Sequence, residues 1–235
     1  MASKFLFSLL ICFFNTVIGQ NLTGSELLEK SISFHDPNGQ WATFNTVLNI
    51  TMKTPNATDR LSKITINLPQ HFFQVVATKE GISTEYTINK GKCSIALNGK
   101  TELTNEELKA NNLSCVRANM YKNYYTYLYG LPMKLKDPGS IIHEKVEKKT
   151  FRGKTYQRLK VTYDKAVGSD IWYFYIDPKT YAMEVYQFFH DETKNDGEYV
   201  LLSGIETIGG INMPKDRAWY TNEENNYLGT DSLKK

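Results

Sequence analysis

The sequence predicts a mainly β protein of the α+β kind: a strongly curved antiparallel half-barrel of about eleven strands, with helices covering its concave face. Three observations carry this expectation. Apolar side chains recur at every second position along most of the length, which is the period of a half-buried strand. The alternating runs are separated by short turns rich in Gly, Pro and Asn, which join antiparallel neighbours. Helical spacing is confined to a few short stretches. These supply too few residues to shield a large sheet on both sides, so the sheet must bend to hide one face.

Thr23-Gly24-Ser25-Glu26 has the pattern of a capping box. Leu27, Leu28, Ser31 and Ile32 follow at helical spacing, so a first helix is expected to run to about Phe34. His35-Asp36-Pro37-Asn38-Gly39 stops it. The period then changes to two. Phe44, Thr46, Leu48, Ile50 and Met52 share one face, and Ile64, Ile66 and Leu68 alternate with Lys63, Thr65 and Asn67. Phe73-Val75-Ala77, Ile82 to Ile88 and Cys93-Ile95-Leu97 extend the series, with turns at Pro55-Asn56, Glu80-Gly81, Lys90-Gly91 and Asn98-Gly99.

Thr104-Asn105-Glu106-Glu107 is a second capping box. Arg117 to Tyr129 then carries Met120, Tyr121, Tyr124, Tyr125 and Leu128 at i, i+3, i+4 spacing, an aromatic-faced helix closed by Gly130 and Pro132. Strands are expected again near 141–150, 154–163, 170–177, 181–190, 198–208 and 211–221. Gly209-Gly210 is the sharpest two-residue hairpin signal among their turns. No linker or charge run divides the chain, so residues 20–235 are expected to form a single domain.

The composition narrows the function. With 41% hydrophobic and 23% charged residues, the chain is an ordinary folding sequence and not a disordered one. A formal charge of +3, from 28 basic and 25 acidic residues interspersed along the chain, excludes a nucleic-acid protein that works by counterion release. Met1 to Gly19 has the form of a secretory signal peptide: Lys4, then an apolar run from Phe5 to Phe14, then Val17-Ile18-Gly19. That run is short of the ~20 residues a spanning helix needs. The expected location is therefore periplasmic or extracellular, with no transmembrane segment. The mature chain keeps Cys93 and Cys115, and an even count in an exported protein points to one disulfide. Two free buried thiols are the alternative.

In a half-barrel, the period-2 residues Phe44, Leu48, Ile50, Ile64, Ile66, Phe73, Val75, Trp172, Phe174, Met183 and Val185 line the concavity. Met120, Tyr121, Tyr124 and Leu128 form the helical lid over it. If the helices leave part of the hollow open, that part is a groove for a lipid, an acyl chain or a lipidated protein. Tyr173 and Tyr175 fall on the opposite, convex face, where exposed rings stack sugars.

The element order resembles the lipoprotein-carrier fold of LolA and LolB, shared by envelope proteins of the RseB and LppX types. The segments Leu27 to Pro37, Ile171-Trp172-Tyr173-Phe174-Tyr175-Ile176-Asp177-Pro178, Gly197 to Leu202 and Ile211-Asn212-Met213-Pro214-Lys215 resemble, over nearly the whole mature chain, a family of uncharacterised exported bacterial proteins with this fold. The resemblance implies a monomeric, non-enzymatic module of the cell envelope that binds an apolar ligand. The alternative it leaves is a protein-interaction or sensor module.

Catalytic patterns are missing: there is no G-x-S-x-G, G-x-G-x-x-G, Walker loop or H-E-x-x-H, and no cofactor is expected. A metal-dependent hydrolase would need His35, Asp36, His190 and Asp191 to converge at one rim. The plainer expectation is a helix-end histidine and solvated rim residues.

Overall fold

The computed structural model describes residues 22–234, so the expected signal peptide Met1–Gly19 lies outside the described residues. Helix α1 (Gly24–His35) starts as its sequence dictates. Thr23 Oγ1 accepts the Glu26 N–H at 3.2 Å, and the Glu26 carboxylate accepts the Thr23 N–H at 2.8 Å. Its buried stripe is Leu27, Leu28, Ser31 and His35.

A meander of five strands follows: β1 (Asn45–Lys53), β2 (Arg60–Asn67), β3 (Phe72–Lys79), β4 (Ile82–Asn89) and β5 (Lys92–Leu97). Helices α2 (Asn105–Ala110) and α3 (Cys115–Gly130) come next. The second meander comprises β6 (Ser140–Ile142), β7 (Glu147–Phe151), β8 (Lys154–Tyr163), β9 (Ile171–Ile176), β10 (Met183–Phe189), β11 (Glu198–Ile208) and β12 (Ile211–Thr221), and β13 (Tyr227–Lys234) ends the series.

All strands belong to one antiparallel sheet ordered β5-β4-β3-β2-β1-β13-β12-β11-β10-β9-β8-β6, with β7 also on β8. The sheet is open, and α1 and α3 pack on its concave face, where Leu27, Leu28, Tyr125, Leu128 and Tyr129 join the main core.

The count is thirteen strands where about eleven were expected. The expected strand 141–150 is two strands, because α1 intrudes there: the Gly24 N–H donates to the Glu144 carbonyl at 2.9 Å, and Thr23 bridges to Lys145. The other addition, β13, was hidden by its chemistry. Its inward face carries Gly229, Asp231 and Leu233, a set with no apolar alternation, yet it pairs with both β1 and β12 and joins the two meanders.

A bulge corrects one lining residue. Between Met183 and Val185 the register of β10 against β9 shifts, so Val185 pairs with Tyr175 while Tyr186 pairs with Phe174. Val185 therefore packs in the convex cluster with Tyr156, Tyr173, Tyr175 and Phe189, away from the hollow. Tyr173 and Tyr175 are buried there too, at 7% and 1% exposure, which removes them as a sugar-stacking surface. Phe151 packs on Tyr175 with centroids 5.0 Å apart, and the Arg158 guanidinium lies 4.2 Å from the Tyr173 ring centre.

Cys93 on β5 and Cys115 at the start of α3 are joined in a disulfide, with Cα atoms 5.8 Å apart. The bond fastens the edge strand to the lid helix. In the chain-entropy model a closed loop of this length contributes about 3 kcal/mol. The double variant Cys93→Ala/Cys115→Ala is expected to melt roughly 6–12 °C lower. A calorimetric shift below 2 °C would show that the bond adds little to the folded sheet.

Candidate functional site

The site is built from α3 and the strands it crosses. Ser114 caps the helix by accepting the Arg117 N–H at 3.2 Å. Two stripes of side chains then face the sheet, because residues four apart share a helix face. The first is Tyr121, Tyr125 and Tyr129. Tyr125 stacks on Phe73 at 6.5 Å and Tyr121 packs on Tyr86 at 5.5 Å, so this stripe fills the hollow over β3 and β4. The second is Tyr124, Tyr127 and Leu128, which meets the strands opposite at Trp219, Asp231 and Trp172 and leaves space beside those contacts. Between it and β8–β12 lies a cleft of about 640 Å³ whose far wall includes Tyr163, Trp172, Phe188 and Trp219. Loop residues Pro138 and Val167 rim it.

A smaller chamber of about 270 Å³, bounded by Met52, Leu228, Gly229 and Asp231, shares Tyr124, Glu198 and Trp219 with the cleft. A third opening of about 530 Å³ lies on the other side of α3, beside Phe72, Phe73 and Lys122.

The expected lining is thus divided. Phe44, Leu48, Ile50, Ile64, Ile66, Val75, Phe174 and Met183 are 0–3% exposed and sealed in the core. Of the expected strand residues, Trp172 lines the main cleft and Phe73 borders the opening behind α3. Tyr124 and Leu128 of the expected lid line the cleft, whereas Tyr121 faces β4. Met120 is 51% exposed and takes no part in the lid. It sits on the solvent side of α3, one residue before the first stripe. Cleft residues that the sequence did not single out include Tyr163, Phe188, Glu198 and Trp219. Phe188 becomes readable once the β10 bulge is known, since the shift turns Tyr186 and Phe188 inward.

Beneath α3 the sheet carries a buried charged row. Register places Arg60 opposite Met52, Met52 opposite Asp231, and Asp231 opposite Arg217. Arg60 Nη2 donates to the Tyr125 hydroxyl at 3.1 Å, and Arg217 Nη1 donates to the Pro214 carbonyl at 2.8 Å. The Arg217 guanidinium sits 3.8 Å from the Tyr129 ring centre. Asp231 is 2% exposed and accepts the Tyr124 hydroxyl at 3.4 Å. Burial raises its pKa, against the opposing pull of Arg60 and Arg217. Burial also holds the Tyr124 hydroxyl well above its ordinary range and pushes Tyr125 and Tyr163 up to about 12. These phenols are therefore neutral.

The metal candidates do not converge. His35 is fully buried; its Nδ1–H donates to the Asn212 carbonyl at 2.6 Å, and Nε2 accepts the Met183 N–H at 3.0 Å. These partners assign the neutral tautomer, and burial lowers its pKa to about 4. Asp36 accepts the Gln40 and Trp41 N–H groups at 2.6 and 2.9 Å and caps the 3-10 turn there. His190 follows the far end of β10 from Met183 and pairs with Asp170 at 2.8 Å, while Asp191 accepts the Thr193 N–H at 3.0 Å. Among the described residues, no group of three or more His, Cys, Asp or Glu side chains is arranged to hold a metal ion.

The family model described as "Family of unknown function (DUF6503)" matches residues 3–235. The chain belongs to this family. No curated protein matches the sequence. Solved structures place this DUF6503 chain among LolA-like folds. It is similar to a LolA superfamily protein from Nitrosomonas europaea, with 11% identity, 91% of this chain and 92% of that one covered, and a TM-score of 0.53. It is also similar to an outer membrane lipoprotein-sorting protein domain from Vibrio parahaemolyticus, with 11% identity, 90% and 92% coverage, and a TM-score of 0.50. At these identities the likeness concerns the fold. Among the described residues, no helix is long and apolar enough to cross a membrane.

Proposed function

We propose that this DUF6503 protein is a non-enzymatic, exported protein of the cell envelope that carries a lipid, or the acyl part of a lipidated partner, in the cleft beside α3. The observation that carries the reading is a 640 Å³ cleft bounded by Tyr124, Tyr127, Leu128, Trp172, Phe188 and Trp219. Its volume lies within the ~300–1,000 Å³ range of ligand sites, and such sites are mostly apolar. The LolA-like fold and the sorting-protein domain it is similar to support the same reading. A leader over Met1–Gly19 would deliver the chain to the envelope.

The energetics are sufficient. Burying an acyl chain of about sixteen carbons stabilises the complex by roughly 13 kcal/mol gross at ~0.8 kcal/mol per methylene. Association costs at the low end of the range, about 4 kcal/mol, leave micromolar affinity.

The test is mass spectrometry of gently purified protein, together with uptake of a fluorescent fatty acid or fatty alcohol. Bound lipid and micromolar uptake are expected. Trp172→Ala should weaken uptake roughly 10- to 100-fold, since a buried aromatic side chain contributes on the order of 1.5–3 kcal/mol. Bare polypeptide in the spectra and no uptake of either probe would remove the carrier reading.

A further inference from the structure

The cleft contains one acid without a counter-charge. Gly197 precedes it at φ +79°, and a Cβ there would lie 2.2 Å from the Phe188 carbonyl oxygen. Only glycine fits that turn, which brings Glu198 opposite Phe188 on β10 and Thr221 on β12. Alternation along β11 then puts Glu198 on the face of Val200 and Leu202, which belong to the concave core.

Glu198 stands where the cleft and the smaller chamber meet. No hydrogen bond or ion pair reaches its carboxylate from the described residues, in contrast to its charged neighbours: Lys134 pairs with Asp137, and His190 with Asp170. Burial raises the Glu198 pKa, and His190 opposes that shift. The smaller chamber adds a second acid, Asp231, whose Oδ1 is buried with no hydrogen-bond partner among the described residues.

Aromatic rings line the same cleft as Glu198. Trp219 stacks with Tyr124 at 6.2 Å and meets Tyr186 edge-on at 5.9 Å. Trp172 stacks with Phe188 at 4.9 Å. A carboxylate among ring faces is the recognition chemistry of ammonium and quaternary ammonium groups, which gain from both the ring quadrupole and the opposite charge. The same wall repels an anionic head, because a second carboxylate beside Glu198 would leave two like charges in a partly desolvated site.

We propose that the cleft selects amphiphiles whose polar end is cationic, an ammonium or quaternary ammonium group received by Glu198 beside Trp219. The proposal rests on the carrier reading and deepens it, since it names the charge of the cargo.

Three probes of one chain length separate the two ideas: dodecyltrimethylammonium, dodecanol and dodecanoate, each titrated below its micelle-forming concentration at pH 7 with tryptophan fluorescence as the readout. The expected order is cation, alcohol, carboxylate, with the cation binding at least tenfold more tightly than the carboxylate. Glu198→Gln should bring the cation-to-carboxylate ratio to within threefold of one, and Glu198→Asp should retain a preference for the cation. Trp219→Leu, read in parallel, should also reduce that ratio. Binding of dodecanol together with equal or tighter binding of dodecanoate overturns the charge proposal and leaves the carrier reading standing. A full preference surviving in Glu198→Gln also overturns the proposal. Binding of none of the three overturns both.

Discussion

Arg217→Met should lower the unfolding free energy by about 1–3 kcal/mol at pH 7, because it leaves Arg60 alone to offset the buried Asp231 carboxylate. Asp231 is 2% exposed and stands directly opposite Arg217 in the register of β12 and β13. Its pKa already lies above the ordinary carboxylate value through burial, with Arg60 and Arg217 opposing the shift. A raised carboxyl pKa means that the folded state binds the proton more readily than the unfolded chain, so stability falls as pH rises through that window.

Losing Arg217 enlarges this effect. The penalty is therefore expected to be greatest near pH 7 and to shrink toward pH 5. Arg217→Met/Asp231→Leu should recover most of the loss, since the stranded charge is gone. Denaturant titrations of the three proteins at both pH values supply the measurement. A single-variant loss under 1 kcal/mol that does not change with pH would mean that the row acts through packing alone.

His35→Leu is expected to produce the second large effect, and its penalty also shrinks as the pH falls. His35 ties the end of α1 to β12 and β10 through the Asn212 carbonyl and the Met183 N–H. Replacing the ring with leucine strands both groups, which costs about 2–4 kcal/mol at pH 7. Burial holds the folded His35 pKa at about 4, well below its ordinary 6.5. As pH falls from 6.5 toward 4, the unfolded chain gains a proton that the folded chain refuses. The stability tied to the neutral ring is therefore present above pH 6.5 and is lost by about 3 kcal/mol on the way to pH 4.

The variant lacks this loss. Its stability curve should start below that of the parent protein at pH 7 and meet it near pH 4. Contributions from Glu198 and Asp231, whose raised pKa values act in the opposite sense, are common to both proteins and drop out of the difference. Parallel curves across this range would refute a neutral buried role for the ring.

Most of the sheet was legible because its first half obeys one simple rule. Leu48 and Ile50, Ile64 and Ile66, and Phe73 and Val75 point inward at every second position, and turns of the same meander carry Asn, Lys and Gly suited to left-handed backbone, as at Asn56, Lys90 and Gly91. Where the rule broke, the cause was local. The bulge at Met183/Val185 reverses the parity of β10, and no residue in Ala182-Met183-Glu184-Val185 announces it. β13 turns Gly229 and Asp231 inward, and periodicity read from apolar residues passes over such a strand.

The site was harder for a different reason. Alternation identifies which side chains face the hollow but not which of them a helix covers. Ile64 and Trp172 carry the same signal, yet Ile64 is sealed in the core and Trp172 lines the cleft. The distinction depends on how far each stripe of α3 reaches, and that is set by tertiary contacts such as Tyr125 on Phe73 and Tyr127 on Trp172, the latter 5.5 Å apart. Glu198 is visible in the sequence only as an acid after a glycine. It gains meaning when β10 and β12 fix its neighbours.

The position of β13 bears on how the molecule is made. This strand leaves the ribosome after every other strand of the sheet, yet it occupies the middle, hydrogen-bonded to β1 on one side and β12 on the other. Until it arrives, the two meanders are separate ribbons with raw edges, and the pairing that unites them spans almost the entire sequence. Pairings of such long range are slow to form. Two half-sheets formed early and joined late put the slow step of folding at the seam between β1 and β13.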